Sequence, residues 1–131
     1  MQSKKMNWGI IGLGKIAHKF AQDLLISENA NLYAVASREI KKAKEFGEKY
    51  QVQKQYGSYE ELARDPEIDI VYIATPHVFH FENTMMCLKN NKGVLCEKPM
   101  GMNAQQVKTV IEEAKSRNLF LMEGIWTRFI P

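Results

Sequence analysis

Gly12-Leu13-Gly14-Lys15-Ile16-Ala17 is the stretch whose setting decides the fold. It follows the compact apolar run Trp8 to Ile11 and opens the segment Lys15 to Ile26, where Ile16, Phe20 and Leu24 recur at helical spacing. That sequence of features is a strand, a tight turn and a helix. In this setting Gly12 can make the turn, Gly14 can let the backbone approach a pyrophosphate, and Ala17 is small enough for the helix to pack closely on a sheet. The helix N-terminus adds N–H groups and partial positive charge, which suit phosphate. Glycines at this spacing alone mark only a turn; the flanking strand and helix make them a dinucleotide site.

The alternation continues along the chain. Asn31 to Ala36 reads as a buried strand, and Ile40 to Tyr50 as a charged helix with Ala43, Phe46 and Tyr50 along one stripe. A short strand near Lys54 to Tyr56 precedes Ser58 and Glu61, which are spaced as a capping box, and Asp65-Pro66 stops that helix. Asp69 to Thr75 is the most continuous apolar strand, as suits a parallel strand covered on both faces. Four more elements complete the pattern: a helix from about Val78 to Lys89, a strand Gly93 to Cys96, a helix capped by Asn103 with Gln106 and reaching about Arg117, and a strand Leu119 to Met122. The spacing predicts an α/β Rossmann fold, a doubly wound parallel sheet in the order 3-2-1-4-5-6. Residues 1–6 read as a tail, 7–124 as the dinucleotide-binding domain, and 125–131 as the start of a connection to a substrate domain expected beyond them.

With 131 residues, 45% of them hydrophobic, one domain can bury a core without disulfides or metals. Every apolar run falls well short of the roughly 20 residues of a membrane helix. The basic start Met1-Gln2-Ser3-Lys4-Lys5 runs straight into the glycine motif, unlike a signal peptide, so a cytoplasmic protein without a membrane partner is expected. The net charge of +3 comes from cations scattered among acids, as in Glu39 to Lys49, which describes a solvated helix face and not a nucleic-acid patch. Cys87 and Cys96 lack CxxC spacing and read as reduced, partly buried thiols. No metal is expected at His77 and His80, which stand three apart without a third ligand nearby; contacts to a cofactor or helix capping explain them more simply. The seven methionines are expected to fill gaps beneath the helices.

Ligands of open α/β sheets bind outside the carboxyl ends of the strands, so Thr75-Pro76-His77 and Glu97-Lys98-Pro99 should face the same crevice as the glycine turn. At the end of the second strand, where an Asp or Glu usually binds the ribose of NAD, stands Ser37-Arg38. Ser37 can donate to a 2′-phosphate, and the Arg38 guanidinium can pair with that phosphate while lying against adenine. These residues favour NADP. Glu39 keeps NAD open, because a small backbone shift would bring it to the ribose. Lys98 is the sharpest candidate for chemistry, since an ammonium at a crevice edge can orient a substrate hydroxyl and lend positive charge to a developing alkoxide. By residue type alone, a solvated lysine is the plainer reading.

Taken together, Gly12 to Ala17, Ala36-Ser37-Arg38, Tyr56 to Leu62, Ala74-Thr75-Pro76-His77 with His80, and Cys96-Glu97-Lys98-Pro99 resemble the Gfo/Idh/MocA oxidoreductase family. Within it, Phe120 to Phe129 and His77 resemble most the dihydrodiol dehydrogenase and D-xylose dehydrogenase branch. The resemblance implies hydride transfer between NADP(H) and a secondary alcohol of a sugar or cyclic diol, and raises Lys98 to the first choice for a catalytic residue. It implies that the turn residues Gly12, Leu13, Gly14, Lys15 and Ile16 hold the cofactor, that Glu97 fixes its ribose, and that Trp126 and Arg128 lie over the nicotinamide end. Family members continue into a domain that binds substrate and builds the oligomer, so a homo-oligomer is implied for a full-length enzyme. Without that domain the chain should hold cofactor with little turnover, and apolar surface near Ile125, Trp126, Phe129 and Ile130 should favour self-association. A stand-alone NAD(P)-binding module that senses redox state or recruits a partner is the alternative. An S-adenosylmethionine or flavin site is weaker, because neither ligand requires the phosphate site that Ser37-Arg38 offers.

Overall fold

Parallel strands need long crossovers, and here the crossovers are helices that cover both faces of the sheet. The computed structural model describes residues 5–98 and 100–124. Among them, the strands Met6–Ile11 (β1), Ala30–Ala36 (β2), Lys54–Tyr56 (β3), Ile70–Ile73 (β4), Gly93–Glu97 (β5) and Leu121–Gly124 (β6) form one parallel sheet. Its order is β3-β2-β1-β4-β5-β6, the order the sequence predicts. The helices are Lys15–Leu25 (α1), Ile40–Tyr50 (α2), Tyr59–Arg64 (α3), His80–Lys89 (α4) and Ala104–Arg117 (α5). Side chains alternate across each strand. Ile10, Val35, Tyr72 and Leu95 pack with Phe20, Leu24 and Phe46 of α1 and α2. Ile11, Ala34, Val71, Ile73 and Val94 pack on the other face with Leu62, Leu88 and Val110 of α3, α4 and α5.

Several element ends differ from the sequence reading, each for a hydrogen-bonding reason. Strand β1 begins at Met6, within the expected tail, because polar Asn7 is fully engaged there: its N–H donates to Asp69 Oδ2 at 2.8 Å and its amide to the Glu67 carbonyl at 2.8 Å. Strand β4 is shorter than Asp69 to Thr75, since the Asp69 carboxylate serves Asn7 and the Thr75 carbonyl serves His80. Strand β6 starts later than Leu119, whose N–H closes α5 on the Ala114 carbonyl at 2.9 Å after Asn118 turns left-handed at φ 56°. Ser58 caps α3 as expected, its Oγ accepting from Glu61 N–H at 3.2 Å, while the return bond to the Glu61 carboxylate comes from the Ser58 hydroxyl, at 3.0 Å. Asn103 accepts from Gln106 N–H at 2.9 Å, while the Gln106 side chain accepts from Met102 N–H. The methionine expectation is met only in part: Met85 and Met86 pack partly buried against the core and Met100 is buried, whereas Met6, Met102 and Met122 are exposed at strand and helix edges.

The ends of the sheet away from the crevice are held by a group the sequence did not flag. Lys92, just before β5, is buried and donates to the carbonyls of Asp65 at 2.6 Å and Ile68 at 2.9 Å, joining the exit of α3 to the entry of β5. Burial pulls its pKa below the usual lysine range, but the carbonyls and nearby carboxylates offset part of that desolvation. Among the described residues no helix is long and apolar enough to cross a membrane, and no group of three His, Cys, Asp or Glu side chains could hold a metal.

Cys87 of α4 and Cys96 of β5 are free and fully buried, beyond the partial burial expected. Burial pushes each thiol from 9.0 up to about 12. Above pH 9 the unfolded chain therefore releases thiol protons that the fold retains, and stability falls as pH rises from there towards 12. Each thiol should cost on the order of 1 kcal/mol by pH 10. Urea unfolding at pH 8 and pH 10 measures this, and Cys87→Ala should show a smaller loss between the two; an equal loss in that variant would contradict the assignment.

Candidate functional site

At the end of β1, Gly12 adopts φ +86°, and a Cβ on it would lie 2.6 Å from Thr75 N and 2.7 Å from the Ala74 carbonyl carbon. Only glycine permits so close an approach of the turn to the end of β4. Gly14 differs, because a Cβ there would meet nothing within 4 Å. Its missing side chain leaves open space directly before α1, whose first N–H groups have no intrahelical partner. No acidic residue stands in the first turn of α1 to repel an anion, and Ala17 is fully buried against the sheet. Open space, free donors and the positive helix end together fit a pyrophosphate.

The end of β2 forms the next wall. Ser37 is buried, its N–H donates to the Tyr56 carbonyl at 3.1 Å, and its hydroxyl oxygen accepts from Glu39 N–H at 3.2 Å. Because that oxygen accepts, the hydroxyl proton remains for an anion. The Arg38 guanidinium lies 5.1 Å over the ring of Phe79, a cation–π contact. Glu39 pairs with Lys42 one turn on, at 3.0 Å, with both side chains largely exposed. Burial pushes the Tyr59 phenol up, and the Arg38 charge pulls it partly back. A cleft of about 610 Å³ is lined by the glycine turn from Gly12 to Ile16, by Ser37, Arg38, Thr75 and Pro76, and also by Glu39, Lys42, Tyr59, Ala74 and Phe79. Of this second set, Lys42 stands at helical spacing from Glu39, a detectable signal; nothing in the sequence marks Phe79 or Tyr59 as neighbours of Arg38.

Thr75 is held from below. Its hydroxyl accepts from Asn83 Nδ2 at 2.8 Å, and its carbonyl lies 2.6 Å from His80 Nε2, so that ring nitrogen carries a proton and donates. His80 is buried beneath the loop and does not line the cleft, whereas His77 is exposed at the start of a 3-10 turn, His77–Phe79, and also lies outside the lining. At the end of β5, the Glu97 carboxylate accepts from the Tyr72 hydroxyl, and Lys98 is exposed just beyond. The chain after Lys98 is tied to β6 by Met100 N–H donating to Glu123 Oε2 at 2.9 Å. Trp126 and Arg128, and the apolar residues expected at 125–130, lie outside the described residues. The geometry thus brings the glycine turn, Ser37, Arg38, Thr75 and Pro76 into one cleft, with Glu97 and Lys98 at the end of the next strand, β5, along the same carboxyl edge.

Comparison with known proteins agrees with this geometry. The family model described as an oxidoreductase family with an NAD-binding Rossmann fold, Gfo/Idh/MocA, matches residues 6–125. The trans-1,2-dihydrobenzene-1,2-diol dehydrogenase of Macaca fascicularis is 50% identical over 129 residues, 96% of this chain and 38% of that protein. Among solved structures, a probable dehydrogenase from Thermotoga maritima superposes with a TM-score of 0.86 at 35% identity, covering 91% of this chain and 36% of its own. A 3-ketoreductase from Actinomadura kijaniata, solved with NADP and TDP-benzene, superposes with a TM-score of 0.89 at 30% identity, covering 92% and 37%. The chain spans about 38% of the length of the curated relatives it matches. By the match over residues 6–125, the chain belongs to the Gfo/Idh/MocA oxidoreductase family, as its NAD-binding Rossmann domain.

Proposed function

We propose that this chain is the cofactor-binding part of an NADP-dependent dehydrogenase or reductase that acts on a secondary alcohol of a cyclic diol or a sugar. The observation that carries the reading is the wall beyond Gly14, where Ser37, Arg38 and Lys42 line one cleft at the end of β2. The Glu39 carboxylate, the group that would favour NAD, is engaged with Lys42. A relative named as a diol dehydrogenase and a ketoreductase solved with NADP support the same substrate class and cofactor. Residues 6–124 form the dinucleotide-binding unit in this reading, with Met6 opening β1, and 125–131 lead towards a substrate domain.

When bound, NADP supplies the hydride acceptor. The glycine turn and the first N–H groups of α1 would hold the pyrophosphate, and Ser37, Arg38 and Lys42 would hold the 2′-phosphate. Glu97 would fix the ribose nearer the nicotinamide. Lys98 would orient the substrate hydroxyl and lend positive charge to its oxygen. His77 and His80 complete the loop after β4, His80 from beneath through the Thr75 carbonyl. Two buried, reduced thiols suit a cytoplasmic protein, and assembly as a homo-oligomer belongs to the same reading.

Titration should show NADP bound at least about tenfold more tightly than NAD, and Arg38→Ala should remove most of that preference. Equal affinities in the unaltered chain would favour NAD and a ribose role for Glu39. Gly14→Val should leave the melting temperature nearly unchanged, since its side chain enters open space, yet weaken NADP by at least about tenfold. In the full-length enzyme, Lys98→Ala should lower kcat by roughly a hundredfold or more with cofactor affinity retained; unchanged turnover would point instead to a binding module without chemistry.

A further inference from the structure

Tyr72 sits in the middle of β4 with no exposure, its ring stacked on Phe20 of α1 with centroids 3.8 Å apart and planes 16° from parallel. Packing there needs only the ring, and a phenylalanine would supply it. The hydroxyl is nevertheless engaged: it crosses to the neighbouring strand and donates to Glu97 Oε2, at the carboxyl end of β5. A buried phenol requires a partner, and this one has taken a carboxylate at the edge of the crevice. Glu97 is only half-buried, and its side chain has no other hydrogen-bond or ion-pair partner among the described residues.

We infer that Tyr72 is a positioning residue for Glu97: its clamped phenol occupies one carboxylate oxygen, fixes the side chain, and leaves the second oxygen for the cofactor ribose at the nicotinamide end. The inference rests on the reading of Glu97 proposed above. Three features support it. The stack on Phe20 fixes where the hydroxyl stands, so the carboxylate is held by a rigid donor. Burial and the adjacent carboxylate raise the phenol pKa far above its usual value, so the group stays a donor at any working pH. Glu97 also ends β5 immediately before Lys98, so ordering its side chain orders the edge from which the lysine projects.

The test uses the whole chain with two probes, NADPH and adenosine 2′,5′-bisphosphate, which lacks the nicotinamide half. Tyr72→Phe keeps the ring stack, and should weaken NADPH roughly three- to tenfold while leaving the bisphosphate unchanged. Glu97→Ala should do the same, and the double variant should be no weaker than the worse single. General loosening of the fold would weaken both probes alike and overturn the inference. So would unchanged NADPH affinity in Tyr72→Phe, or additive losses in the double variant. If the unaltered chain bound neither probe, the proposed function would fall and the inference with it. If it bound both and Tyr72→Phe spared both, only the inference would fall.

Discussion

Where β1 passes into α1, the chain turns through Gly12 at φ +86° and runs so near the end of β4 that any side chain would collide with the backbone of Ala74 and Thr75. That contact sets the height of the helix over the sheet, and the height sets everything at the crevice. It places Gly14 before open space and aims the start of α1 at it. It also makes Thr75 a wall of the same cleft, which explains why Thr75 is secured twice from below, by Asn83 and by His80. A loop that must withstand close approach on one side is braced on the other.

The rim at β2 works differently. Its charged groups are exposed and already engaged: Arg38 over the ring of Phe79, Glu39 with Lys42. Exposed pairs of this kind are individually weak and screened by salt, so a ligand phosphate can rearrange them at little cost. Discrimination between cofactors therefore depends on which charges stand within reach, more than on a preformed rigid pocket. Glu39 illustrates this: its type suits a ribose, yet it lies beside a cation that neutralises it.

Much of this was legible in the sequence, because it rests on local rules. The glycine turn, the capping residues Ser58 and Asn103, and the helix Ile40–Tyr50 follow from spacing and residue type, and the sheet order follows from strand and helix alternation. What was not legible joins residues far apart in the chain. Phe79 beneath Arg38, Tyr72 reaching Glu97, and Lys92 holding the carbonyls of Asp65 and Ile68 each depend on two strands or helices having met. The misplaced ends of β1, β4 and β6 have the same origin, since each is decided by a hydrogen bond to another element. His80 shows the limit most plainly: its type suggested a cofactor contact or a helix cap, and only the fold reveals it buried with its ring donating to the Thr75 carbonyl.

The strand order has a consequence for how the domain assembles. The first strand made lies at the centre of the sheet, and its pairing with β4 joins residues 62 apart, as Asn7 and Asp69 show. Residues up to about 56 can form β1, β2 and β3 together, while β4, β5 and β6 form a second local group. The β1–β4 seam between them carries the largest loop-closure penalty and is the slow step to be expected in folding. The cleft spans this seam, drawing Ser37 from one group and Thr75 from the other. A ligand lying across it would bind only the joined state, and would act on the folding equilibrium as a cross-strut between two halves.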